Sequence, residues 1–213
     1  MIYNEDCRTV LKRNLEYHYV LSSPPDYNEL NLSPKKRDWY EFLESWASLL
    51  SPKSNLVSIC ISDRKADSKI YTKHIDMTEV MKENGWYVKT HKIWAKSLGI
   101  NMYRLNYMNI LTFAKKPHKV NLTRDFKPDI FVDEKSPKYR GYPYGMSLDI
   151  CKRLILEHTQ ENDTVYDPFM GSGTTAIACL ETNRKYLGTE IDNETYKLSQ
   201  NRISEVEHLR RFI

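Results

Sequence analysis

No stretch of this sequence approaches the roughly 20 consecutive apolar residues that a membrane span needs. The opening residues, Met1-Ile2-Tyr3-Asn4-Glu5-Asp6, lack the apolar core of a signal peptide. The expectation is a soluble intracellular protein, cytoplasmic or associated with the nucleoid or nucleus. None of the four cysteines, Cys7, Cys60, Cys151 and Cys179, stands in a C-x-x-C pair, and the six histidines are scattered singly. No zinc spacing and no disulfide framework can be read from them. No metal is expected, and the cysteines read as reduced side chains in or near a core. The chain has no internal repeat and no low-complexity tract.

What is present is an ordinary globular balance. The 213 residues suit one domain, and 40% hydrophobic content is enough for one core. Strand and helix patterns alternate. Strands are expected at Met1–Asn4, His18–Leu21, Asn55–Ser62, Trp86–Ala95, Tyr107–Ala114, Thr164–Tyr166 and Lys185–Ile191. Trp39, Phe42, Leu43, Trp46, Leu49 and Leu50 recur at helical spacing, predicting a helix over Asp38–Leu50 with Asp38 as N-cap and Pro52 beyond its end. Further helices are expected near Ile75–Glu83, Met146–Thr159, Thr174–Thr182 and Glu194–Leu209. About seven strands with helices between most of them predict an α/β doubly wound sheet with helices on both faces. Lys115–Gly141 breaks the pattern. It holds eight Lys or Arg and three prolines with little periodicity, and reads as a long loop or small insertion.

The strongest local signal runs from Asp163 to Asp192. A strand ends at Asp167, Gly171-Ser172-Gly173 makes a tight turn, Thr174 opens a helix, and a second strand ends near Glu190. Small residues let the backbone approach a ligand. An acid at the second strand's end is where nucleotide-binding βαβ units hold a ribose hydroxyl. The lysine of a phosphate-binding P-loop is missing. Asp167 would repel a pyrophosphate but suits an ammonium, which also argues against an NAD-dependent oxidoreductase.

Near the N-terminus, Ser23-Pro24-Pro25-Asp26-Tyr27 follows a short apolar strand. Two prolines hold the backbone rigid and remove two donors. A serine hydroxyl and a proline carbonyl held this way can accept hydrogen bonds from a planar amino group, and an adjacent tyrosine can stack on a flat ring.

Together, Ser-Pro-Pro with a following aromatic and a later Asp-Pro-Phe-x-Gly-Ser-Gly-Thr-Thr resemble the S-adenosylmethionine-dependent amino-methyltransferases of DNA, which make N4-methylcytosine or N6-methyladenine. The order, catalytic segment first and cofactor turn last, resembles the β-class arrangement. The likeness extends through Tyr3–Cys7, Trp39–Leu50, Leu56–Asp63, Gly85–Lys96, Asn109–Lys115 and Tyr142–Leu156. It implies one methyltransferase domain over residues 1–213, with a catalytic half (1–114), a basic target-recognition stretch (115–141) and a cofactor half (142–213). It implies cofactor contacts from Asp6, Cys7, Asp167, Phe169, Gly171, Ser172, Gly173, Thr174, Glu190 and Ile191, with Asp6 on the adenine amino group. The catalytic segment would be Ser23, Pro24, Pro25, Asp26 and Tyr27. Two features depart from the family pattern. Asp26 separates Pro25 from the aromatic, so that either Tyr27 stacks through a bulge or Asp26 lines the base pocket. Tyr142-Pro143 replaces a His-Pro start, and Ser147 replaces a later proline.

The resemblance implies direct methyl transfer. Ser23 and the Pro24 carbonyl accept the amine's hydrogens, and Asp26 is a candidate to stabilise the nitrogen as it becomes cationic. A leading serine goes with cytosine N4 in this family, so cytosine is expected, with adenine N6 as the alternative. Arg64, Lys65, Lys115, Lys116, Lys119, Arg124, Lys127, Lys138 and Arg140 are candidate DNA contacts, with Tyr139, Tyr142 and Tyr144 interleaved for stacking. Net charge is only +4. The expected partner is duplex DNA with a flipped base, and a homodimer fits the absence of room for a separate recognition domain. An RNA or protein amino-methyltransferase and a non-catalytic DNA-binding homologue stay open. So does the role, whether restriction protection, a phage function or regulation.

Overall fold

The computed structural model describes residues 1–13, 15–27, 29–30, 36–66, 68–96, 105–115, 129–132 and 145–210. In chain order the elements are β1 (Ile2–Tyr3), α1 (Cys7–Leu11), β2 (Tyr19–Ser22), α2 (Lys36–Ala47), β3 (Leu56–Ile61), β4 (Arg64–Ala66), β5 (Lys69–Tyr71) and α3 (Lys73–Glu83). There follow β6 (Tyr87–Ala95), β7 (Tyr107–Ala114), β8 (Ile130–Val132), α4 (Leu148–His158), β9 (Thr164–Asp167), α5 (Thr174–Glu181), β10 (Lys185–Thr189) and α6 (Asn193–Arg210).

Eight strands form one sheet in the order β1-β10-β9-β2-β3-β7-β6-β8, and β4 and β5 form a separate hairpin. The first five of that order run parallel, β7 is antiparallel to both its neighbours, and β8 returns parallel to β6. The expected α/β doubly wound sheet is therefore present, with eight strands in place of about seven.

Alternation along the strands explains why both faces are covered. On β3, Val57, Ile59 and Ile61 join the core beneath α1, α2 and α3, together with Trp39, Leu43, Trp46, Met77 and Met81. Leu56 and Cys60 point the other way, into the core shared with α4 and α5 through Ile150, Leu154, Ala178 and Cys179. Ser58 also points that way and hydrogen-bonds the Thr112 hydroxyl of β7 at 2.7 Å, so neither buried hydroxyl is left unpaired. The helical stripe over Trp39, Leu43 and Trp46 is fully buried, as its spacing predicts. At the end of α3, Gly85 adopts φ +78°, the left-handed conformation that lets Trp86 N–H reach back to the Met81 carbonyl and close the helix.

Two expectations need correction. The stretch 115–141 is not wholly a loop, because Ile130–Val132 pairs in register with Ile93–Ala95. Asp38 is not an N-cap. The helix starts at Lys36, and Asp38 sits in its first turn, where a negative charge still suits the helix dipole. The short α1 and the β4–β5 hairpin add to the expected elements, and neither carries a periodic signal in the sequence.

Chain order reverses between β9 and β2. β9 leads outward to β10, whereas β2 leads the opposite way to β3. Open α/β sheets bind ligands in the crevice at such a switch point, beyond the carboxyl ends of the strands.

Candidate active site

The two sequence motifs meet at that crevice. β2 delivers Ser22 and the Ser23-Pro24-Pro25 segment, and β9 delivers Asp167 beside it. The buried Ser22 hydroxyl donates to Asp167 Oδ1. The same carboxylate accepts Phe169 N–H at 3.0 Å and the Thr175 hydroxyl at 2.6 Å. Asp167 is 1% exposed. Burial pushes its carboxyl up from 3.8 to about 6, against the three donors that favour the anion, and Glu190 nearby adds to the rise.

Beyond Asp167 the chain turns back on itself. Met170 N–H bonds the Thr189 carbonyl at 2.9 Å, which lays the turn across the end of β10. Gly188 pairs with Asp167 in the sheet. A Cβ there would stand 3.1 Å from the Asp167 carbonyl oxygen and 3.3 Å from Met170 Cβ, a tight fit that would also require the flexible Met170 methyl to swing away. Gly171 and Gly173 both have positive φ, at +53° and +85°. Behind Gly173, Ser199 and Ile203 of α6 lie 3.3 Å from where a Cβ would stand. Arg202 of the same helix is buried and donates to the Ser172 carbonyl.

Glu190 follows β10. Its two carboxylate oxygens accept Gly171 N–H and Asp192 N–H, each at 2.9 Å, and burial raises its pKa. Its own N–H bonds the Tyr3 carbonyl, and the Asn4 side-chain amide bonds its carbonyl, so β1 fixes the end of β10. Ile191 beside it is 69% exposed.

One pocket is lined by Ser23 and Pro24 from the first motif and by Asp167, Phe169, Met170, Gly171, Ser172, Thr174 and Thr175 from the second. Glu29, Gly145 and Met146 also line it, and among the described residues no lysine or arginine does. The donor set therefore fits S-adenosylmethionine and not a phosphate ligand. Asp167 suits an ammonium, Glu190 stands just outside this lining with lone pairs left to accept from hydroxyls, and none of the described lining residues is cationic.

Several of the expected residues are already engaged within the chain. Asp6 is the N-cap of α1, accepts Arg8 N–H at 2.8 Å and pairs with the Arg8 guanidinium, which holds its carboxyl below the usual range. Cys7 is buried, and burial pushes its thiol up to about 12, so it is no nucleophile. Tyr27 is not an exposed stacking surface. Asp26 opens a turn in which its carbonyl accepts Glu29 N–H and Leu30 N–H. The Tyr27 ring lies 3% exposed, edge-on to Trp39 with ring centres 4.6 Å apart. Asp26 is not a free carboxylate either, since Lys73 Nζ lies 3.0 Å away and Arg64 3.9 Å away.

Of the candidate DNA contacts, Lys65 is exposed on the hairpin, Arg64 is partly exposed, and Lys115 lies 4.7 Å over the Trp86 ring. Lys116, Lys119, Arg124, Lys127, Lys138 and Arg140, with Tyr139, Tyr142, Pro143 and Tyr144, lie outside the described residues. Residues missed from the sequence include Ser22, whose only signal was adjacency to Ser23, and Arg202 and Lys73, which no motif marks. Among the described residues no group of His, Cys, Asp and Glu could hold a metal, and no helix is long and apolar enough to cross a membrane.

Comparison with known proteins agrees with this geometry. The DNA adenine methyltransferase YhdJ of Escherichia coli K12 is 34% identical over 71 residues, which cover 33% of this chain and 24% of that protein. The chain spans about a quarter of the length of several such curated relatives. A solved complex of M1.HpyAVI with S-adenosylmethionine superposes with a TM-score of 0.73 at 27% identity, over 95% of this chain and 98% of that one. The PvuII cytosine-N4-specific DNA methyltransferase shares the fold, with a TM-score of 0.78 at 15% identity over 96% of this chain and 90% of that one. Residues 17–201 match the family model described as DNA methylase, the N6/N4 methyltransferases. With a match over most of its length, the chain belongs to the N6/N4 DNA methylase family, whose cofactor is S-adenosylmethionine.

Proposed function

We propose that the protein transfers a methyl group from S-adenosylmethionine to an exocyclic amino group in DNA, with N4 of cytosine as the favoured acceptor. The observation that carries this reading is that Ser23-Pro24 and the Asp167–Thr175 turn line the same pocket. An amine acceptor and a methyl donor have to share one enclosure, and these two segments do.

When bound, S-adenosylmethionine supplies an electrophilic methyl group on a sulfonium. The chain's own residues do the rest. Asp167 holds the ammonium of the methionine moiety. Glu190 takes the ribose hydroxyls, and Ile191 and Phe169 offer apolar surface to the adenine, with Asp6 at its amino group. Cys7, Ser172 and Thr174 complete the shape of the site. The Ser23 hydroxyl and the Pro24 carbonyl accept the N–H groups of the target amine. Drawing its hydrogens out of the ring plane takes the nitrogen lone pair out of conjugation and frees it for in-line attack, in which the N–C bond would form as the S–C bond breaks and the cationic nitrogen would then lose one proton to solvent. Orientation in a closed pocket then supplies much of the rate.

The flipped base reaches this pocket from duplex DNA, gripped by phosphate contacts from Arg64 and Lys65 and from the basic stretch 115–141. The serine at position 23 supports cytosine, because a leading serine goes with cytosine N4 among the enzymes it resembles. The adenine-directed relative YhdJ favours N6 of adenine as the second reading. Nucleoside analysis decides between them. DNA incubated with the protein and S-adenosylmethionine is digested and examined by mass spectrometry. N4-methylcytosine is expected, and N6-methyladenine overturns the use made of Ser23 while leaving the mechanism intact.

A further inference from the structure

We infer that Lys73 is a positioning residue: its buried ammonium holds Asp26, and through Asp26 the Ser23-Pro24-Pro25 turn, in place for methyl transfer. The inference rests on the proposed transfer reaction and adds to that site a residue that no motif marks.

Lys73 is the first residue of α3, directly after the β4–β5 hairpin. Its side chain is 4% exposed, with Nζ 3.0 Å from Asp26 Oδ1. It lies 5.6 Å over the Tyr27 ring and 5.8 Å over the Trp39 ring. A buried ammonium persists only where a partner offsets its lost hydration. Asp26 is that partner, and a charge-assisted bond of this length is directional as well as strong. Burial lowers the Lys73 pKa and the Asp26 charge opposes it.

The consequence for the site follows from the two prolines. Pro24 and Pro25 fix two successive φ angles, so Ser23 to Asp26 moves as a nearly rigid rod. One end is tied to the cofactor side by the Ser22–Asp167 hydrogen bond. The other end is tied by Asp26, whose carboxylate takes Tyr27 N–H at 2.7 Å and whose carbonyl takes Glu29 N–H and Leu30 N–H. Lys73 anchors that turn to α3. The Pro24 carbonyl, which has to accept the amine hydrogen, is thus aimed by a clamp at each end. The inserted Asp26, a departure from the family pattern, serves as the attachment point of the second clamp, and its charge is already committed to Lys73.

The test is a double-mutant cycle on the full chain. Wild-type transfer of a labelled methyl group to DNA is measured first. If the wild type transfers none, the proposed function fails and this inference falls with it. Lys73→Met, Asp26→Asn and the double variant are then compared by single-turnover rate at saturating cofactor, with cofactor affinity measured separately. Asp26→Asn keeps the shape of a partly exposed side chain and so reports even if Lys73→Met does not fold. A displaced catalytic rod is expected to lower the rate by about 10- to 100-fold. The double variant is expected to be no slower than the slower single variant, because either substitution alone opens the clamp, and cofactor affinity is expected to stay unchanged. Wild-type rates in Asp26→Asn, losses that multiply in the double variant, or a loss confined to cofactor affinity overturn the inference.

Discussion

Asp167 carries two demands that pull its carboxyl in opposite directions. Burial favours the neutral acid, while the donors from Ser22, Thr175 and Phe169 favour the anion, and burial prevails enough to hold the pKa at about 6. An acid whose folded pKa lies above its unfolded value binds its proton more tightly in the folded chain. Its favourable contribution is complete below the unfolded value of about 4 and is lost as pH rises through about 6. Asp167→Asn removes that dependence. Thermal melts across this window should show the variant gaining stability relative to wild type as pH rises, and a constant difference refutes the assignment. A bound ammonium favours the carboxylate, so cofactor binding near pH 6 should release protons. Titration calorimetry in two buffers of different ionisation heat reads this directly, and Asp167→Asn should abolish the release. At the same scale, Glu190→Gln keeps the shape but gives up one acceptor oxygen. Either the bond from Gly171 N–H or that from Asp192 N–H is then lost, and cofactor affinity should fall by about 10- to 100-fold, the worth of one hydrogen bond to a charged group.

Among the elements, the segment from β9 through α5 to β10 was the most legible in the sequence. Its order is local: strand, glycine turn, helix and strand follow within thirty residues, and each glycine answers a nearby backbone requirement. Gly173→Ala forces a side chain into a left-handed conformation and against Ser199 and Ile203. The expected cost is about 1–2 kcal/mol for the backbone alone, to be read from denaturant unfolding, with weaker cofactor binding as the turn shifts. What the sequence did not disclose is tertiary. β8 lies in a stretch dense with lysine and proline and becomes a strand only because β6 offers it an edge. Tyr27 reads as an exposed aromatic until Asp26 starts a turn that carries the ring under α2. Asp26 reads as a free acid until α3 brings Lys73 to it. The β4–β5 hairpin, with no periodic pattern, places Arg64 beside Asp26 at the end of the Ser-Pro-Pro turn. Replacing Arg64 or Lys65 with alanine should lower the salt slope of DNA binding by about 1 each, if each meets one phosphate, and an unchanged slope removes the hairpin from the DNA contact.

At the scale of the whole molecule, one sheet brings the Ser23-Pro24-Pro25 segment to the Asp167–Thr175 turn across its switch point, and the Ser22–Asp167 bond spans the join. Neither half does the proposed chemistry alone, which is why the pocket they share is the centre of the account. Its most direct test is an acceptor panel. The protein is incubated with S-adenosylmethionine carrying a labelled methyl group and, in parallel, with unmethylated duplex DNA, with RNA and with protein substrates, and incorporation is counted in each. Label is expected in DNA, and it is expected to be lost when Ser23 is replaced by alanine, as the proposed transfer requires. Label in RNA or protein but not in DNA contradicts it, and so does cofactor binding with no transfer to any acceptor.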